Sequence, residues 1–155
     1  MSDAKPHTRE EMMRFMQEAI GQARKSLNEG GIPIGSVLVR NGEVIARGHN
    51  RRVQNGDPTA HAEIDCLRNA GRIGRYDNTV LYSTLMPCSM CAGATILFQI
   101  PIVVAGEDRT FMSARAWLKS KNLCVVDLNL DECYDMMQGF IKAKPELWNE
   151  DIGTV

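Results

Sequence analysis

Two short stretches of this sequence carry side chains that could do chemistry together: His61-Ala62-Glu63 and Pro87-Cys88-Ser89-Met90-Cys91. Cys88 and Cys91 are three residues apart, so on a helix both sulfurs point the same way. Pro87 suits the start of such a helix, because its missing N–H would have no helical partner there. The positive end of the helix dipole favours thiolates at the same position. His61 also stands at the start of a helix-compatible run. Bringing the two helix starts together gives one nitrogen and two sulfur ligands. Three protein ligands leave a tetrahedral zinc with one open position, which separates catalytic from structural zinc sites. An ion held in this way brings the pKa of its bound water towards neutrality. Glu63, two residues beyond the histidine, is placed to act as general base without binding the metal.

Blander uses of the same residues carry less. A CxxC pair also serves thioredoxin-like redox chemistry or half of a structural zinc site. Ser89-Met90 gives no reason for a poised disulfide, and a redox role leaves His61 and Glu63 unexplained. A structural site lacks its fourth ligand, since His7 and His49 show no paired spacing with the cysteines. His49 is expected to be structural. Cys66, Cys124 and Cys133 sit among apolar neighbours and are expected to be small core residues.

The elements that must position these groups follow from periodicity and turn chemistry. From Thr8 to Asn28, apolar residues including Met12, Phe15, Met16, Ala19, Ile20 and Ala23 recur at helical spacing. Asn28-Glu29-Gly30-Gly31 ends that helix. Strands at Ile34–Val39 and Val44–Arg47 flank Asn41-Gly42, the strongest short-range hairpin signal. Residues 48–60 read as a loop and Ala62–Asn69 as a helix. Strands are predicted at Thr79–Leu85, Ile102–Ala105 and Leu123–Asp127, and helices at Cys88–Phe98, Met112–Lys119 and Asp131–Lys142. Strands interleaved with helices after an initial hairpin predict an α/β fold. It is a three-layer α/β/α sandwich around a mixed, mostly parallel five-stranded sheet with an N-terminal antiparallel hairpin.

Composition narrows the function class. At 155 residues the chain is expected to be one domain. With 18 basic and 19 acidic residues the net charge is −1, which argues against a protein whose main task is gripping phosphate backbones. No apolar run approaches the ~20 residues that cross a bilayer. The N-terminus lacks a secretory pattern, so a cytoplasmic location is the default expectation.

The spacing H-x-E…P-C-x-x-C is the signature of the zinc-dependent nucleobase deaminases. Together with GGIPIGSVLV, GHNRR, AHAEI, LYSTLMPCSMCAGA and the closing WNEDIG, it makes the chain resemble the small fungal-type cytosine deaminases over nearly its whole length. The resemblance implies a homodimer acting on a free base, one Zn2+ per chain, and conversion of cytosine to uracil and ammonia. It implies that His61, Cys88 and Cys91 hold zinc and that zinc hydroxide adds to C4. Glu63 would shuttle a proton to ring N3 and then to the departing amine. Asn50 and the backbone N–H of Ala62 would bind the ring edge near O2. Phe111, Trp148 and Ile34 would be apolar walls, and Asp151 would accept from the exocyclic amino group. Residues 145–155 would then form a C-terminal lid.

Two departures keep other substrates open. Met86 stands where the fungal proteins carry Ser, and Ala62 replaces their Gly between His and Glu. A sibling enzyme acting on guanine, isocytosine or a related amino-heterocycle is the alternative, and a tRNA adenosine deaminase is a further one. A non-enzymatic zinc-stabilised interaction domain leaves Glu63 without a role. The apolar helix at Cys88–Phe98 predicts burial on more than one side, by the sheet alone or by sheet and partner.

Overall fold

A computed structural model describes residues 4–154; the first three residues and Val155, the last residue of the expected lid, lie outside the described residues. The chain runs α1 (Arg9–Asn28), β1 (Gly35–Arg40), β2 (Glu43–His49), α2 (Arg52–Asn55), α3 (Ala62–Ala70) and β3 (Thr79–Ser83). It continues with α4 (Ser89–Leu97), β4 (Ile102–Ala105), α5 (Arg115–Ser120), β5 (Cys124–Asp127), α6 (Asp131–Ala143) and α7 (Pro145–Asp151). Thr8 caps α1 by accepting from the Glu11 N–H, a standard use of a threonine hydroxyl. Asn41 and Gly42 both take positive φ, 52° and 75°, as the two-residue hairpin turn requires.

The five strands form one sheet in the order β2-β1-β3-β4-β5. It is mixed as expected, but the parallel share is half: β1 pairs antiparallel with both β2 and β3, while β3–β4 and β4–β5 are parallel. The cause is which hairpin strand turns inward. The first, β1, lies next to β3, and β2 is left at the edge.

Alternation along the strands defines the three layers. Val37, Val39, Val80, Tyr82, Ile102 and Val104 face Phe15, Met16 and Ile20 of α1 and Cys133 of α6. Leu38 and Leu81 face Cys66 of α3, and Val103 packs with Ala92 of α4 and Leu118 of α5. Burial of this apolar alternation on both faces is what holds helices against the sheet.

Gly48 sits where β2 presses directly on α3: a Cβ there would meet Cys66 N at 2.2 Å and Ala62 O at 2.7 Å. Gly48→Ala therefore drives the strand away from the helix that follows His61. A destabilisation of about 2–3 kcal/mol is expected, or roughly 5–10 °C in Tm for a chain of this size. Thermal melts check this, and an unchanged Tm would show that the close approach contributes nothing.

Several local expectations change. Cys124 is exposed rather than part of the core, because it opens β5, a strand with a neighbour on one side only. The loop at 48–60 contains the single turn α2, and the tail folds as α7. The helix α4 buries Cys91, Ala92 and Thr95 and packs Ala92 against Leu118 of α5 as well as the sheet, while Leu97 at its end is 71% and Phe98 just beyond it 43% exposed. No helix among the described residues is long and apolar enough to cross a membrane.

Candidate active site

The site forms at one rim of the sheet, where β2 and β3 end and β1 begins, a consequence of β1 running antiparallel to both. His61 is the residue before α3 and Cys88 the residue before α4, each in extended conformation, and neither side chain caps its own helix. Both are thereby free to turn towards each other. Cys91, one turn into α4, is fully buried.

His61 Nδ1 lies 3.5 Å from Cys88 Sγ and 3.8 Å from Cys91 Sγ, and the three donor atoms all fall within 4.8 Å of one another. One imidazole nitrogen and two thiolates at this spacing fit a zinc ion and leave its fourth position open. The other ring nitrogen, Nε2, lies 3.0 Å from Asp151 Oδ1. A carboxylate on the far nitrogen is the usual means of fixing the tautomer and orientation of a ligating histidine.

The protons are distributed accordingly. Burial lowers the His61 pKa, but Asp151 and Cys88 raise it more, and the balance is about 10. The Cys88 thiol is held down to about 4, chiefly by hydrogen bonding with Cys91 and then, against burial, with His61. Metal binding replaces such protons, because ligating thiols bind as thiolates and a ligating imidazole as the neutral ring. Glu63, 4% exposed, is pushed up to about 7 by burial and then by the charge on Cys88. By contrast, burial pushes the Cys66 and Cys133 thiols up to about 12, as for inert core cysteines.

A cavity of about 380 Å³ opens onto these residues. Its lining includes His61, Glu63, Cys88, Ile34, Phe111, Trp148 and Asp151, which assembles most of the expected site. Trp148 is 5% exposed and meets Phe111 edge to face with centroids 5.7 Å apart, a favourable aromatic geometry. Asn50 and Ala62 are fully buried but do not line the cavity. Asn50 Oδ1 accepts from the Arg52 N–H at 3.0 Å, while its Nδ2 is buried without a hydrogen-bond partner. His49 is structural as expected, buried with Nε2 2.8 Å from Glu29 Oε1.

Other groups shape the site without having drawn notice in the sequence. Leu85, Met90 and Ile152 line the cavity together with Met86, whose N–H donates to Glu107 O at 2.9 Å. Glu107 is fully buried and accepts from the backbone N–H groups of Arg109 and Thr110 at 2.6 and 3.1 Å. That carboxylate builds the turn leading to Phe111. Its only sequence signal is an acid that follows an apolar strand after a single glycine, Gly106.

Residues 9–107 match the family model described as the cytidine and deoxycytidylate deaminase zinc-binding region. The chain is 46% identical over 141 residues to the cytosine deaminase of Candida albicans, covering 89% of this chain and 94% of that protein. It is 43% identical over 106 residues to a tRNA-specific adenosine deaminase of Streptococcus pyogenes, covering 66% of this chain and 67% of the other. A solved tRNA:A34 deaminase, studied for A-to-I editing at the wobble position of transfer RNA, is 41% identical. It superposes with a TM-score of 0.58 over 61% of this chain and 75% of its own. With a His/Cys/Cys cluster that fits zinc set beside a buried glutamate, this chain belongs to the cytidine and deoxycytidylate deaminase family and is a hydrolytic enzyme.

Proposed function

We propose that the protein hydrolyses free cytosine to uracil and ammonia. The observation that supports this reading most is that Trp148 and Asp151 of α7 line the same cavity as Glu63. At about 380 Å³ the cavity is at the small end of small-molecule sites, roughly 300–1,000 Å³. The near-full-length likeness to a cytosine deaminase supports the same substrate.

His61, Cys88 and Cys91 would hold the zinc. When bound, the metal supplies Lewis acidity, which brings a coordinated water's pKa into the neutral range. Glu63 takes one proton of the attacking water and delivers it to ring N3. It then takes the second from the hydroxyl on C4 and passes it to the amine, which leaves as ammonia as the C4–N bond breaks and the C4 carbonyl forms. A buried carboxyl with a pKa near neutrality suits both directions of transfer. Asp151 accepts from the exocyclic amino group. Its contact with His61 leaves Oδ1 without a well-directed hydrogen bond, so a base bearing the amine satisfies an acceptor that would otherwise be buried at a cost. The unpartnered Asn50 Nδ2 is the donor suited to ring O2. Phe111, Trp148 and Ile34 form the apolar walls, and residues 145–155 act as a lid whose closure excludes water. The chain acts as one domain and as a homodimer, for which the exposed Leu97 and Phe98 provide an apolar surface. It works in the cytoplasm, in pyrimidine salvage.

Met86, buried in the cavity wall, is the specific observation that favours a second base, guanine or isocytosine. A panel of free bases and nucleosides, with a tRNA anticodon stem-loop, scored for ammonia release by the zinc-loaded protein, tests the assignment. Cytosine is expected to be turned over fastest. Faster release from guanine, isocytosine or the stem-loop would replace the cytosine reading.

A further inference from the structure

Arg52 does not line the cavity, yet it touches both of the segments proposed to read the base. Its backbone N–H donates to Asn50 Oδ1 at 3.0 Å. Its guanidinium reaches across to α7, where Nη2 donates to the Glu150 carbonyl at 3.2 Å and Nε lies 3.8 Å from Asp151 Oδ1. We propose that Arg52 is a positioning residue, a latch that holds α7 closed over the cavity and keeps Asp151 aimed into it. This inference rests on the proposed role of α7 as the lid.

Three features of the chain support a latch at this place. First, α7 is joined to α6 through one residue, Lys144, whose backbone (φ −139°, ψ 63°) leaves the helical region. Pro145 then opens α7 without an N–H to continue the preceding hydrogen-bond ladder. The seven residues of α7 can therefore swing about Lys144 as a unit. Second, apolar burial of Trp148 and packing of Leu147 and Ile152 resist that swing but give no fixed angle. A planar guanidinium bonding a backbone carbonyl and facing a carboxylate does fix one. Third, the two adjacent arginines divide their work. Arg51 turns to Asp65, with Nε 3.1 Å from the carboxylate, while Arg52 alone of the pair reaches the tail.

The energetics separate a latch from a scaffold contact. The contact is largely buried, with the Arg52 side chain 18% and that of Asp151 3% exposed, so removing the guanidinium takes a partner from a buried carboxylate. Opening one terminal helix costs far less than global unfolding, so the same bond has leverage on that local equilibrium. Loss of a hydrogen bond to a charged donor is expected to raise the open population roughly tenfold or more.

The test uses the two tryptophans of the chain, Trp117 and Trp148. In a Trp117→Phe background, Trp148 alone reports on α7, and acrylamide quenching of the zinc-loaded protein measures its shielding. Arg52→Met keeps the length of the side chain and removes its donors. It is expected to raise the quenching constant severalfold and to accelerate amide exchange about tenfold in α7 alone, with zinc content unchanged. Arg52→Lys, which keeps a charged donor, is expected to recover most of the shielding. For whichever free base the panel identifies, KM is expected to rise about tenfold in Arg52→Met. Unchanged quenching and exchange would overturn the latch, as would acceleration throughout the chain, which would make Arg52 a scaffold residue. Neither readout requires cytosine to be the substrate. A latch can therefore stand where the cytosine reading falls, and the reverse.

Discussion

Glu63→Ala is expected to keep its zinc and to lose deamination by roughly 10⁴-fold, the upper end of what one general acid–base group contributes. The side chain is buried and lines the cavity beside His61 and Cys88, which suits it to carry protons between water, ring and amine, whereas the other carboxylate of the lining, Asp151, lies against His61. Glu63→Gln is the sharper variant. It preserves size and hydrogen bonding but cannot accept and return a proton, and its loss should match that of Ala. Zinc content and steady-state ammonia release are the paired measurements. Turnover near the parent rate in either variant, with zinc in place, would remove Glu63 from the proposed mechanism.

Cys91→Ala is expected to abolish both metal and activity. Cys91 is fully buried, and its Sγ lies 3.8 Å from His61 Nδ1. Its removal deletes one of only three protein donors. The loss of zinc affinity should exceed the roughly 10–100-fold that follows removal of a ligand's outer partner. Because metal binding and folding are coupled, the variant should also melt at a lower temperature. Cys124→Ser is the control: that cysteine is exposed on the edge strand, and the variant should retain one zinc per chain and full turnover. Retention of stoichiometric zinc by Cys91→Ala would show that the proposed ligand set is wrong.

The region matched by the family model ends at residue 107. Within it lie His61, Glu63, Cys88, Cys91 and Asn50, the residues proposed for metal and proton chemistry and for the ring edge. Phe111, Trp148, Asp151 and Ile152 all come later, yet they line the same cavity. The division has a physical logic. Deaminating any amino-heterocycle requires the same attack and the same proton transfers, so that machinery serves many substrates. What distinguishes one substrate from another is the wall that closes over it. In this protein part of the cavity wall comes from the turn built on Glu107 and from α7, while Ile34 and Met86 of the matched region supply another part.

The sequence by itself determined the features that depend on neighbours in the chain. Asn41-Gly42 set the hairpin, because few other residue pairs accept two positive φ values in succession. The spacing of Cys88 and Cys91 placed both sulfurs on one side of a helix start, and a histidine two residues before a glutamate supplied the rest of a catalytic zinc pattern. The apolar run through Val37, Leu38 and Val39 marked a strand buried on both faces, and the structure assigned each residue to its face. Tertiary structure alone decided how distant segments meet. It placed β1 between β2 and β3, and so made half of the strand pairings antiparallel. It left Cys124 at an exposed edge in spite of apolar neighbours. It folded the tail into α7 and brought Asp151 to within 3.0 Å of His61, ninety residues earlier in the chain. It also set Arg52 against the Glu150 carbonyl. Turn chemistry and helical spacing act over a few residues and can be read from their order. Pairings across the fold are chosen by which surfaces bury one another, and no local pattern records that choice.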